Sequence, residues 1–231
     1  MALSLKEEAR NHEGRRKGDA IYQALKRQLL RGEYELGAAL SVVALAESVE
    51  ASRQPVMEAL KRLESESFVR IIPQVGCRVV TPTTAEVQDF YEIFATMEGL
   101  VSRFAAERRD ADDIDDLRRA ADVLPAVGRT FDNARYAEMN RAFHGLIHRC
   151  AKSGPARDAA EMYWDRSDFL IASIRPPFWP ANVEHAQAEH EALRDAVVAG
   201  ASKKAQRLAY EHIRSFGEAV AEHLVQHAPQ T

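Results

Sequence analysis

The sequence predicts a mainly α-helical chain in two parts. Three helices closed by a β-hairpin fill the first 82 residues, and a bundle of six helices fills the rest. Three observations carry this prediction. Apolar residues recur at helical spacing between residues 19 and 63, broken at Gly32, Gly37 and Glu50-Ala51. A strand, a Pro/Gly turn and a second strand follow over residues 69–80. From Thr84 onward the chain reads as helix, interrupted at Asp110, Pro125/Gly128, Gly154-Pro155, Arg175-Pro176-Pro177 and Gly200.

Residues 1–18 are polar and carry Arg15-Arg16-Lys17. They read as a loose arm, which either tracks phosphates or is an unstructured tail. The first helix, from Asp19 to Arg31, sets Ile21, Leu25, Leu29 and Leu30 on one side, and Gly32 ends it. Ser41 then caps a short helix carrying Val42, Leu45, Ala46 and Val49. Glu50-Ala51 turns the chain into a third helix that starts at Ser52, whose hydroxyl is expected to accept a first-turn N–H. Pro55 falls in that first turn, where a missing N–H costs little. Val56, Leu60 and Leu63 form an apolar stripe, which leaves Arg53, Gln54, Met57 and Lys61 facing outward. A short helix with an apolar back and Arg and Gln near its N-terminus suits a DNA major groove. Three helices and a hairpin of this kind make a winged helix-turn-helix.

Bulk numbers bound the alternatives. A chain of 231 residues is long enough for two modest domains. The net charge of −4 argues against a uniformly basic coat. Residues 1–80 hold 13 Lys+Arg against 11 Asp+Glu, and the remainder 18 against 24. A mildly basic first part on an acidic second part fits a DNA-contacting module joined to one that does not touch DNA. Cys77 and Cys150 are far apart and outside any CxxC spacing, so reduced thiols are expected. No apolar leader and no stretch near the ~20 apolar residues of a membrane span is visible, so a cytoplasmic protein without membrane partners is expected.

Residues 19–82 resemble the DNA-binding domain of the GntR family of bacterial transcription regulators. The likeness rests on Ala51-Ser52-Arg53-Gln54-Pro55-Val56-Met57-Glu58-Ala59-Leu60-Lys61-Arg62-Leu63-Glu64 and on the wing Phe68–Val79. It implies DNA contacts from Arg53 first, then Ser52, Gln54 and Lys61, and at the wing Gly76 and Arg78. This chain departs from the family pattern at Met57 and Val75, where basic residues are usual, and at Val43, where Arg or Glu is common. Each missing Arg removes a phosphate contact or a bidentate guanine contact. Weaker or differently specified binding is therefore expected.

In the second part, Asn140 and His144 lie four apart on one helix face, with His148 a turn further on. His190 and His212 fall on two later helices. Imidazoles from three helices can bind a metal inside a bundle, and scattered core or surface histidines are the alternative. A bundle of ~150 residues is also large enough to enclose a pocket.

Residues 83–231 resemble the FCD ligand-binding domain of the FadR branch, in its shorter, VanR-like form. The carrying motifs are Asn140-Arg141-Ala142-Phe143-His144, Glu189-His190-Glu191-Ala192-Leu193 and Tyr210-Glu211-His212-Ile213. The resemblance implies His144, His190 and His212 as metal ligands. Asn140, standing where relatives have Asp, would be a weaker, neutral fourth. Three imidazoles can still hold Zn²⁺ or Ni²⁺. The alternative is a metal-free polar pocket. His148 and His185 have no family counterpart and read as ordinary helix residues. Phe94 replaces an Arg that in relatives reaches a ligand carboxylate, so a less acidic effector is expected, with Arg141 and Arg175 as possible replacement charge. Tyr163, Trp164, Phe178 and Trp179 read mainly as core.

The resemblance implies a dimeric regulator of a palindromic double-stranded operator, most often a repressor of a catabolic operon, released by a small organic acid. It is not expected to be an enzyme. Two competing readings stay in view. One is a hydrolase using the three-His site, which needs a general base. Glu189 and Glu211 adjoin His residues, but neighbours on a helix point about 100° apart. The other is a sensor that has lost operator binding.

Overall fold

The computed structural model describes residues 17–73, 75–121, 133–173 and 183–226. Helix α1 spans residues 17–30. It is followed by β1 (Ala39–Leu40), α2 (Val42–Ser48), α3 (Arg53–Ser65), β2 (Val69–Ile72) and β3 (Gly76–Val79). The helical part contains α4 (Thr84–Arg108), α5 (Ala111–Ala121), α6 (Asn133–Cys150), α7 (Gly154–Ser173), α8 (Val183–Val198) and α9 (Ser202–Gln226). Packing divides the chain into two compact units. One is Met1–Thr81 with Arg166–Ile174, and the other is Pro82–Asp165 with Arg175–Thr231.

In the first unit the predicted stripe of α3 is confirmed. Val56, Leu60 and Leu63 are fully buried. The expected hairpin is β2 and β3, paired antiparallel with Val69 opposite Val79 and Ile72 opposite Gly76. Sequence reading missed a third strand: β1 pairs with β3, giving the order β1-β3-β2. Two residues are too few for a visible alternation. Glu50 makes the turn between α2 and α3 with φ 48°, and the Ala51 N–H closes on the Ala46 carbonyl at 3.0 Å. One expectation is corrected. Ser52 is the N-cap of α3 but makes no side-chain cap bond. Ser41 caps α2 through the N–H of Ala44, and Thr83 caps α4 through that of Glu86 in a full capping box. The equivalent position in α3 is Pro55, which has no N–H to give.

In the second unit α4 and α9 pack along their length. Close approach depends on small residues. Ala105, Ala205 and Ala209 are buried, and Gly99 faces the backbone of Gln206. At Gly217 an added Cβ would sit 2.2 Å from the Cβ of Tyr91. That clash is with the root of a side chain, so the helices must part to relieve it. Gly217→Ala is therefore expected to destabilise the protein by about 1–3 kcal/mol, readable as a lower urea midpoint. The core around Phe143, Ile147, Leu193 and Val197 closes α6 and α8 onto this pair. Cys77 and Cys150 are free thiols, and burial raises them to about 11 and about 12. Neither is a ready nucleophile.

Candidate nucleic-acid interface and metal centre

The buried back of α3 leaves Ser52, Arg53, Gln54 and Lys61 exposed. Arg53 and Lys61 pair with no carboxylate among the described residues, so their charge is available to a phosphate or a base edge. Arg62 is different. It pairs with Asp19 and lies 3.9 Å from the ring centroid of Tyr22, so it ties α3 to α1. Gln54 donates to Glu58 at 3.3 Å. At the wing, Gly76 has φ 138°, a conformation that favours glycine, and open space where a Cβ would stand. Arg78 is exposed and donates to the Gly37 carbonyl at 3.1 Å. Of the three departures from the family pattern, Val43 and Val75 are exposed and Met57 is half-buried.

Helices α6, α8 and α9 bring His144, His190 and His212 together. Their exposures are 1%, 1% and 6%. Nε2 of His190 lies 3.3 Å from Nε2 of His144 and 3.1 Å from Nε2 of His212. Two nitrogens bound to one ion at 2.0–2.1 Å stand about 2.9–3.4 Å apart. Both of these spacings fit a shared cation, and all three rings offer a nitrogen within 4.8 Å of the others. Proton bookkeeping favours the same reading. His212 Nδ1 donates to Glu189 at 2.7 Å, which leaves a lone pair on its Nε2 when the ring is neutral. Nδ1 of His144 and of His190 are buried without a hydrogen-bond partner among the described residues. Burial pushes His144 down to about 4, against an upward pull from Glu98. Burial and the neighbouring imidazoles also hold His190 well below its usual value. Both rings are thus neutral at pH 7, as ligation requires. Asn140 is buried one turn before His144 on α6.

Sequence reading did not assign Glu98, His148 or Glu189 to this centre. Glu98 of α4 is fully buried. Its carboxylate accepts from the indole N–H of Trp164 at 3.0 Å and lies 2.9 and 3.2 Å from Nε2 of His148. Its Oε2 is 3.7 Å from Nδ1 of His144. Burial would raise the Glu98 carboxyl, but His148 and His144 outweigh it and hold the group ionised. The signal was present, because Glu98 interrupts the stripe Tyr91, Phe94, Val101 and Ala105, and a carboxylate there requires partners. His148 is consequently no ordinary helix residue, which corrects the sequence reading. The carboxylate of Glu189 reaches across to His212 of the next helix.

The three effector-pocket residues fare differently. Phe94 is fully buried, stacked on Tyr163 at 5.7 Å and edge-on to Trp164 at 5.2 Å. It packs the aromatic core and lines none of the described cavities. Arg141 pairs with Asp165 at 2.5 Å and lines a groove of about 440 Å³ between α6 and α7. Arg149, Arg157, His148 and Trp164 line the same groove. Arg175 lies outside the described residues, as do Phe178, Trp179 and the side chain of His185.

The depressed histidines predict an acid response of the metal-free protein. The unfolded chain takes up a proton at His144 near pH 6.5, and the folded chain only near 4. Stability is therefore full above 6.5 and falls as pH drops toward 4, by up to about 3 kcal/mol from this group. His190 acts in the same direction. Urea unfolding in chelator at pH 7 and pH 5 should show the loss, and His144→Phe should flatten it.

Comparison with known proteins adds the following. Residues 17–79 match the family described as bacterial regulatory proteins, gntR family, and residues 89–215 match the FCD domain. The chain is 30% identical over 224 residues to an uncharacterized HTH-type transcriptional regulator in an unstable DNA locus of Streptomyces ambofaciens, spanning 94% of this chain and 90% of that one. It is 25% identical over 167 residues to the gluconate operon transcriptional repressor of Bacillus subtilis, spanning 68% of this chain and 65% of the repressor. Its fold matches that of E. coli McbR/YncC with a TM-score of 0.74 over 89% of this chain and 97% of that one, at 21% identity.

Proposed function

This chain belongs to the gntR family of bacterial regulatory proteins and carries an FCD domain behind its winged helix, and we propose that it represses a catabolic operon by binding a palindromic operator as a homodimer. The observation that carries this reading is α3. Its back is fully buried, and its exposed face holds Arg53 and Lys61 without carboxylate partners among the described residues. In this reading Arg53 and Gln54 read base edges, while Ser52, Lys61 and the wing residues Gly76 and Arg78 engage the backbone. Exposed Ile93 and Leu100, seven apart on α4, support a face for a second copy. Operator binding implies a cytoplasmic protein. No helix among the described residues is long and apolar enough to cross a membrane.

The effector is a small organic acid. The groove between α6 and α7 supports this through Arg141, Arg149 and Arg157, which pair with carboxylates of the chain and can exchange them for one from a ligand. The named function of the Bacillus relative, repression of a gluconate operon, is consistent with that chemistry. His144, His190 and His212 would hold a divalent ion, Zn²⁺ or Ni²⁺, with Asn140 beside them. A bound ion would supply a positive anchor for an oxygen ligand. Release follows if the effector binds the DNA-free form more tightly, and operator affinity then falls by that ratio.

Selection of genomic fragments by the purified protein, followed by footprinting, tests the reading. Two protected half-sites separated by about one helical turn are expected. Recovery of fragments without a shared sequence would defeat it.

A further inference from the structure

We infer that Glu98 is a positioning residue of the three-histidine centre and supplies, through His144, the negative charge that Asn140 does not carry. The inference rests on the metal reading above and deepens it.

A fully buried carboxylate is costly unless its oxygens are engaged. Glu98 is engaged unevenly. Oε1 takes the Trp164 indole at 3.0 Å and the shorter approach of His148 at 2.9 Å. Oε2 has the longer approach of His148 at 3.2 Å and faces Nδ1 of His144 at 3.7 Å. That Nδ1 is buried and has no hydrogen-bond partner among the described residues. Less than 1 Å separates the pair from an ordinary hydrogen bond. With its proton on Nδ1, directed at Oε2, His144 presents the lone pair of Nε2 to His190 and His212. His212 is arranged in the same way, with Nδ1 bonded to Glu189 at 2.7 Å and Nε2 turned to the cluster. Two of the three ligands thus have a carboxylate beside Nδ1, bonded at His212 and 3.7 Å away at His144.

Charge balance gives this arrangement its meaning. A divalent cation on three neutral imidazoles and an amide meets no anion among its nearest neighbours. Glu98 and Glu189 bring carboxylates to two of the three rings, and Glu98 shares its charge with His148. They act through the rings, raising imidazole basicity and fixing ring orientation. His148 and Trp164 hold Glu98 where it can do this.

The test is metal affinity, read by competition with a chromogenic chelator using Zn²⁺ and Ni²⁺ as probes. Glu98→Gln keeps the shape and the acceptor for His148 and removes the charge. It is expected to weaken metal binding 10- to 100-fold, with unchanged helical circular dichroism. Restoring a carboxylate by Asn140→Asp in the Glu98→Gln protein should recover at least tenfold. A folded Glu98→Gln protein binding within twofold of wild type would overturn the inference while leaving the metal reading intact. Wild-type protein that binds neither ion would overturn both. Should Glu98→Gln fail to fold, Asn140→Asp alone decides. At a site already balanced it tightens binding less than tenfold, and a hundredfold gain would show that Glu98 supplies no compensating charge.

Discussion

Arg53→Ala is expected to abolish most operator affinity and leave the melting temperature unchanged. The first half follows from position. Arg53 is the first residue of α3, exposed and without an ionic partner among the described residues. A bidentate Arg–guanine contact contributes about 1–3 kcal/mol of discrimination. A dimer uses the residue twice, so the loss is roughly 2–6 kcal/mol, or at least about thirtyfold. The second half follows from what Arg53 does not touch: it is exposed and pairs with no carboxylate among the described residues. Lys61→Ala offers a contrast. A phosphate contact carries no sequence information, so affinity should fall about equally on all duplexes, with a shallower salt dependence. Arg62→Ala, which breaks the Asp19 pair and uncovers Tyr22, should cost stability instead. Equilibrium titration of a labelled duplex beside thermal unfolding separates the three. Unchanged affinity in Arg53→Ala would remove Arg53 from recognition.

The combined change His144→Ala and His190→Ala is expected to abolish metal binding. One imidazole remains, and a single His cannot replace three. For wild type, an ion at a hundred times its dissociation constant should stabilise the fold by about 2.7 kcal/mol, seen as a rise in melting temperature on adding Zn²⁺. The double variant should show no rise and no copurifying metal. Its metal-free form also loses the depressed histidines, so its stability should depend less on pH between 6.5 and 4. Full metal content in the variant would place the ion elsewhere.

Much of this molecule was legible in its sequence because its punctuation is strong. Gly32 and Gly200 end helices with positive φ, and Ser202 opens α9 where it was expected. The stripe of α3 and the wing hairpin followed from spacing and from the Pro/Gly turn. The convergence of His144, His190 and His212 followed from the family resemblance, since spacing within one helix says nothing about its partners. What failed did so for physical reasons. The cap at Ser52 depends on an N–H that Pro55 lacks. Strand β1 is two residues long and is defined by its neighbour rather than by itself. The partnership of Glu98 with His148 joins residues 50 apart in sequence, and Glu189 reaches His212 from 23 away. Phe94 was read as an effector-pocket residue in place of an Arg, and its ring packs among Phe90, Tyr91 and Tyr163.

Met57, Val43 and Val75 stand where relatives carry charged residues, so DNA recognition here rests on fewer charged contacts. The direct test is the affinity of the full-length protein for its selected genomic site against a scrambled duplex, at physiological salt. A regulator of this kind is expected to prefer its site by at least about a thousandfold, with the preference lost in Arg53→Ala. Equal affinity for the two duplexes, in protein stripped of any bound ligand, would contradict the assignment.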